Sequence, residues 1–266
     1  MDLKDKVIVV TGGTGILGAA FIQGLHNAGA IVCILGRNLT VAEERAQQIV
    51  TAGGKALALQ ADVLDEQQLE NAAQLILKEF GRIDGLVNAA GGNMPEGILQ
   101  PDGDLFDLNI KGMQRVMDLN LWGSVIPTQI FGRHMKVNGG SIINISSMSS
   151  KQAVTKVMGY SLGKAAIDCY TQWFAVEAAA RYGDNIRMNA IAPGFFLTEQ
   201  NRALLTNPDG TYTTRGELVL KNTPYKRFGK PEELNGALIW LLSDASRFVT
   251  GTVIAVDGGF SVFSGV

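Results

Sequence analysis

No sign of charge dominates this chain. Its 23 lysines and arginines stand against 25 aspartates and glutamates, a net charge of −2, so there is no cationic surplus to track nucleic acid or an anionic membrane. Cysteine is almost absent. The two present, Cys33 and Cys169, sit inside apolar segments without the spaced Cys or His partners of a zinc site, and read as reduced core thiols. The two histidines, His26 and His134, fall in separate helical stretches and read as structural, so no metal is expected. Long apolar runs are missing too: the run 237–242 is far short of the ~18 residues that span a bilayer. The opening Met-Asp-Leu-Lys-Asp-Lys passes straight into an apolar strand without the features of a secretory signal, which makes the cytoplasm the expected location. Only 7 prolines exclude a Pro-rich linker, and 46% hydrophobic against 18% charged residues exclude a disordered chain.

Glycine, at 32 residues in 266, is the surplus, and it predicts many tight turns. Short apolar runs alternate with amphipathic stretches along the whole chain. Strands are expected at 7–10, 31–35, 55–60, 85–88, 141–145, 186–191 and 253–256, and helices at 16–27, 41–51, 66–80, 112–137, 161–182 and 232–242. Gly29 and Gly53 or Gly54 are placed as helix stops. Several strands are too apolar to have a wet face, which predicts a parallel sheet buried on both sides. The fold class is therefore α/β: one domain over 1–266, a seven-stranded parallel sheet with helices on both faces. An eight-stranded barrel ranks second, because it needs another strand-helix pair and no glycine cluster after its first strand.

Two segments break the rhythm, 92–111 and 195–229. The second is expected to be a substrate loop, since ligands of open α/β sheets bind beyond the carboxyl ends of the strands.

The first strand runs into Thr11-Gly12-Gly13-Thr14-Gly15-Ile16-Leu17-Gly18 and then a helix. Glycines there let backbone approach a pyrophosphate, which the open N–H groups and the positive end of the helix favour. In strand-turn-helix context this reads as dinucleotide binding, the Rossmann arrangement. The second strand ends Gly36-Arg37-Asn38. It lacks the carboxylate that accepts the ribose hydroxyls of NAD, and Arg37 suits the 2′-phosphate of NADP. NADP(H) is thus the expected cofactor, with NAD(H) as the other choice.

Tyr160 and Lys164 are four residues apart at the start of a helix, on one face. Ser147 ends the strand before them, where the sheet opens. To serve as a base near neutral pH, a tyrosine needs its anion stabilised by roughly 4 kcal/mol, and an adjacent ammonium pushes that way.

These residues resemble the short-chain dehydrogenase/reductase family over almost the whole chain. The matches are the turn Gly12 to Gly18, Asp62-Val63, Asn88-Ala89-Ala90-Gly91, Asn120, Ser147, Tyr160 with Lys164, Pro193-Gly194 with Thr198, and Asp257-Gly258-Gly259. The resemblance implies that Tyr160 transfers the proton, Ser147 holds the substrate oxygen, Lys164 holds the nicotinamide ribose and lowers the tyrosine pKa, and Asn120 anchors a relay water. Asp62 and Val63 would contact adenine, and Thr198 the nicotinamide amide. A homotetramer joined through the helices at 112–137 and 161–182 is implied as well. One departure stands out: the middle glycine, usual at the position of Ile16, falls here at Gly15, a slot where many NADP-preferring members carry a basic residue.

Within the family, Gly15-Ile16-Leu17-Gly18, Ala90-Gly91-Gly92-Asn93, the stretch from Pro193 to Arg202 and Asp257-Gly258-Gly259-Phe260-Ser261 are similar to the branch of bacterial D-mannonate oxidoreductases. That implies reversible hydride transfer between D-mannonate and D-fructuronate. An anionic sugar acid needs a cation and hydrogen-bond partners. Asn93, Ser149, Gln152 and Arg202 are the substrate candidates, Arg202 the favoured cation over Lys151 and Lys156. A gluconate 5-dehydrogenase or 3-oxoacyl reductase of the same fold is the alternative enzyme. A non-catalytic NADP(H)-binding scaffold is the alternative from another class.

Overall fold

The computed structural model describes residues 1–197, 202 and 204–265. Seven parallel strands form one open sheet in the order β3-β2-β1-β4-β5-β6-β7. They are β1 (Val7–Thr11), β2 (Ile31–Gly36), β3 (Ala56–Gln60), β4 (Gly85–Asn88), β5 (Gly140–Ile145), β6 (Ile186–Pro193) and β7 (Val253–Val256). The expected strands all form, β4 and β7 with the expected bounds and the other five shifted at one end by one or two residues. β1, β2, β4 and β6 are buried along their whole length, as apolar runs without alternation require. β3 and β7 are the exposed edges, so the sheet does not close into a barrel.

Alternate residues of each strand feed two cores. Ile8, Val10, Val32 and Ile34 face α1 (Ile16–Asn27), α2 (Leu39–Thr51) and a C-terminal helix (Asn235–Leu242), packing on Phe21, Leu25, Ile49, Leu238 and Leu241. Val7, Val9, Cys33 and Leu35 face α3 (Glu66–Phe80), α4 (Ile110–Gly132) and α5 (Met158–Tyr182), packing on Leu69, Ile76, Phe131 and Ala178. This is the period-two signature of strands covered on both sides.

Four expectations need correction. The helix expected at 112–137 starts earlier, because the Asn109 side chain caps it by accepting from the Gly112 N–H at 2.9 Å, and it gives way to a 3-10 turn at Arg133–Met135. The stretch 232–242 splits into a 3-10 turn, Pro231–Leu234, and the helix Asn235–Leu242, hereafter α7. The segment 195–229 is no plain loop: it contains α6, Thr214–Asn222. Thr213 caps it from the Gly216 N–H, 3.1 Å away, and few apolar residues beyond Val219 turn inward, so its periodicity is faint in the sequence. Finally, only Cys33 is a core thiol; Cys169 is exposed, on the face of α5 turned away from the sheet.

Candidate active site

The strand order places β1 beside β4, with β2 and β5 on either side. Successive crossovers from β1 and β4 therefore leave toward opposite faces, which opens a crevice above Thr11 and Asn88, partners in register. The glycine turn lines one side of it. Gly12 has φ +64°, and a Cβ there would lie 2.7 Å from the Ala90 nitrogen; one on Gly18 would run into the Gly12 carbonyl. Backbone thus approaches backbone where a side chain would fill the cradle. α1 is capped by Gly15, which has no side chain to bond its first turn, so its first N–H groups, including those of Ile16 and Leu17, remain available to an anion. These features fit a dinucleotide pyrophosphate.

Two side chains that the sequence reading did not assign hold this turn in place. The Thr11 hydroxyl accepts from the N–H groups of Ala89 (3.1 Å) and Ala90 (3.2 Å), tying the Asn-Ala-Ala-Gly segment to the turn. Arg45, from α2, donates to the carbonyls of Gly13 and Gly15.

At the end of β2, a Cβ on Gly36 would stand 2.6 Å from the Thr14 side chain; Thr14 fills the space beside that glycine. Arg37 is exposed, and Asn38 caps α2 by accepting from the Val41 N–H at 3.3 Å. Asp62 shapes the turn after β3, accepting from the Leu64 N–H at 3.0 Å, and Val63 is buried beside Gly123. Pro193 ends β6, and Gly194 packs so closely on Asp257 that a Cβ would meet its Cα at 2.7 Å. Thr198 lies outside the described residues.

Asn88 is fully buried, and its amide is turned into the sheet-helix layer, donating to Thr128 (3.0 Å) and Asn144 (2.9 Å). A few residues on, Gly91 meets the catalytic candidates: a Cβ there would lie 2.8 Å from Asn120 Oδ1 and 3.2 Å from Lys164 Nζ. Asn120, buried in α4, clamps Gly92 in both directions, donating to its carbonyl at 2.7 Å and accepting from its N–H at 3.1 Å. Lys164, buried in α5, donates to the Ile145 carbonyl at 2.7 Å, with Nζ 5.5 Å from the centre of the Tyr160 ring. Burial pulls its pKa down to about 8, against the opposing charge of Asp168.

Ser147 stands at the carboxyl end of β5, hydrogen-bonded to Tyr160. Ser149 orients it: the Ser149 hydroxyl and N–H both donate to Ser147 Oγ, at 3.0 and 3.2 Å, so Ser149 itself is buried behind the site. The Tyr160 hydroxyl is pushed above its ordinary pKa by burial, which outweighs the Ser147 hydrogen bond. The expected lowering by Lys164 is thus not the dominant effect. Tyr160 keeps its proton near neutral pH, the state a proton donor needs.

The walls of the opening come from three segments, each bonded to the stretch 152–156. Leu99, in the 92–111 insertion, donates its N–H to the Lys156 carbonyl at 2.9 Å, and Arg215 of α6 reaches Thr155 at 3.2 Å. Gln152 donates to the Ser261 carbonyl at 2.9 Å, fixing the tail. The side-chain oxygen of Asn93 is buried without a hydrogen-bond partner, a free acceptor at the mouth. Arg202 is exposed and lines an open cavity of about 730 Å³ with Leu197, Thr206, Asn207 and Tyr212; the described walls of that cavity do not include Tyr160 or Ser147. Lys151 and Lys156 are exposed. Among the described residues no group of three His, Cys, Asp or Glu side chains is placed to hold a metal ion.

Known proteins resemble this chain over nearly its full length. The family described as enoyl-(acyl carrier protein) reductase matches residues 14–261. The chain is 44% identical to the uncharacterized oxidoreductase UxuB of Bacillus subtilis, over 100% of this chain and 98% of that protein. A crystal structure of a "putative D-mannonate oxidoreductase" from Haemophilus influenzae with bound NAD superposes with a TM-score of 0.91 at 41% identity, covering 100% of this chain and 98% of the other. A gluconate 5-dehydrogenase from Burkholderia cenocepacia, in complex with NADP and tartrate, gives 0.86 at 33% identity, covering 98% and 96%. The seven-stranded sheet, the glycine turn and these matches over nearly the full length make the chain an oxidoreductase of the short-chain dehydrogenase/reductase family.

Proposed function

We propose that the protein interconverts D-mannonate and D-fructuronate by hydride transfer, with NADP(H) preferred and NAD(H) accepted. The observation that carries the reaction class is the convergence of Asn120, Ser147, Tyr160 and Lys164 at the carboxyl ends of β4 and β5, beside the glycine turn. When bound, the nicotinamide supplies or takes the hydride. Ser147, oriented by Ser149, holds the carbonyl oxygen, and Tyr160 gives that oxygen its proton as the alcohol forms. Lys164 steadies the nicotinamide ribose, and Asn120 sets the floor of the site through Gly92 and anchors the relay water. A purely scaffolding role would need none of these groups.

The dinucleotide is held by Gly12, Thr14, Gly15, Ile16, Leu17 and Gly18 at its pyrophosphate, by Arg37 and Asn38 at the adenosine ribose, and by Asp62 and Val63 at adenine. Backbone of Asn88, Ala89, Ala90 and Gly91, with Pro193 and Gly194, flanks the nicotinamide half, and Thr198 is assigned to the nicotinamide amide. The NADP(H) preference rests on the exposed Arg37 and the missing carboxylate at Gly36. The NAD bound to the Haemophilus relative favours a second reading, in which Arg37 is a solvated cation and NAD(H) wins. Arg37→Ala separates them: the first reading expects about tenfold or more weaker NADPH binding, the loss of one charge-assisted phosphate contact, with NADH unchanged. Equal affinities before and after would leave Arg37 without a phosphate. Gly36→Asp is not a clean companion to this test, because its Cβ would press on Thr14.

For the substrate, the similarity to the Haemophilus protein and the unpartnered Asn93 acceptor support a polyhydroxy acid, with Gln152 at the rim. The gluconate 5-dehydrogenase relative supports the same class of sugar acids with a different member. In our reading the lobe 195–229 closes over the hexonate and Arg202 meets its carboxylate, since a carboxylate buried without a partner is costly. Arg202→Gln should then raise KM for D-fructuronate by about tenfold or more and spare neutral ketones. Equal loss on both would make Arg202 a support of the lobe. The exposed Trp122 of α4 and Trp173 and Val176 of α5 support association through these helices into the homotetramer, and cytoplasmic residence belongs to the same reading.

A further inference from the structure

Asp168 is a buried carboxylate that the mechanism above does not use. It is 8% exposed and lies one helical turn beyond Lys164 on α5. Its two oxygens are taken by two hydroxyls: Ser146 donates to Oδ1 at 2.5 Å and Ser150 to Oδ2 at 2.6 Å. Those serines bracket Ser147. The segment that carries the candidate catalytic serine is thus pinned at both ends to the helix that carries Tyr160 and Lys164.

We propose that Asp168 is a positioning residue for the reaction: its carboxylate ties the Ser147 segment to α5 and keeps a negative charge beside the Lys164 ammonium. This rests on the reading of Ser147, Tyr160 and Lys164 as the reacting set. A simple link between two serines and a helix does not require a charge, and burying a carboxylate is costly unless a cation balances it. The i, i+4 spacing puts such a cation on the same face.

The surroundings leave Asp168 as the charge that matters to Lys164. Along α5 the other titratable neighbour is Tyr160. The end of β5 and the turn after it present the Ile145 carbonyl and the hydroxyls of Ser146, Ser147 and Ser150, all uncharged. From α4 comes the Asn120 amide, while Lys111, Arg115 and Asp118 of that helix are exposed. Arg187 of β6 stands near the opposite end of its strand, bonded to the carbonyls of Leu241, Ser243 and Val249. The direction at Lys164 agrees: burial lowers its pKa, and Asp168 opposes that fall.

The test reads Lys164 directly, by carbon NMR of lysines labelled at the ε carbon, with its resonance identified by its loss in Lys164→Met. In the wild type the midpoint should lie at about 8. In Asp168→Asn it should fall by about one unit, a tenfold shift in the proton equilibrium, and Asp168→Glu should restore most of it. An unmoved midpoint in folded Asp168→Asn would overturn the charge role. The double variant Ser146→Ala, Ser150→Ala keeps the charge and cuts the tether; it should lose at least about tenfold in turnover of D-fructuronate with no fall in the Lys164 midpoint. Full turnover would overturn the tether, and this variant decides the proposal if Asp168→Asn does not fold. A wild type silent toward D-fructuronate counts against the substrate reading alone, because the titration needs no substrate.

Discussion

Tyr160→Phe should lower turnover by about a hundredfold to ten-thousandfold, the range for loss of a general acid, and leave dinucleotide affinity nearly unchanged. The ring is half-buried and stays in place, with Lys164 still beside it. What disappears is the hydroxyl that shares a hydrogen bond with Ser147 and carries a proton held above its ordinary pKa. Steady-state rates and a fluorescence titration with the reduced cofactor separate the two effects. Turnover within a few fold of the wild type would remove Tyr160 from the reaction.

Lys164→Met should damage both. The buried ammonium is the group placed to reach a ribose between Gly91 and Tyr160, so affinity for the reduced cofactor and turnover should each fall by about tenfold or more. The Ile145 carbonyl also loses its donor, at a stability cost of about 1–3 kcal/mol for an unsatisfied buried acceptor. A variant that loses stability alone would make Lys164 a structural residue. The pH profile gives an independent reading. Because Lys164 titrates at about 8, wild-type reduction should slow as pH rises through that value, while Tyr160 still holds its proton. Stability should move the other way. The folded midpoint lies below the ordinary lysine value of 10.5, so the unfolded chain binds more protons between the two, and stability rises with pH across that window.

Much of this was legible in the residues. β1 and β2 are read from apolar runs that only a doubly covered sheet can hold, and the glycine turn is read from the backbone approach that Gly12 and Gly18 allow. The nearness of Tyr160 and Lys164 follows from helical spacing, and the place of Ser147 from the end of its strand. What the sequence hides is pairing at long range. Thr11, Arg45 and Asp168 act through partners many residues away, 78 in the case of Thr11 and Ala89, and no local pattern marks them. α6 is hidden for a different reason: a nine-residue helix with one face lightly buried carries too little periodicity to stand out. The exposure of Cys169 follows from which face of α5 meets the sheet, and an apolar window alone does not decide that.

The most direct test is the nicotinamide absorbance after mixing the enzyme and NADPH, and in parallel NADH, with D-fructuronate. The absorbance should decay in proportion to D-fructuronate, faster with NADPH, with D-mannonate as the product and the reaction running backward from D-mannonate and the oxidised cofactor. No decay with D-fructuronate, alongside turnover of a gluconate-series keto acid or a 3-oxoacyl thioester by the same preparation, would contradict the proposed function.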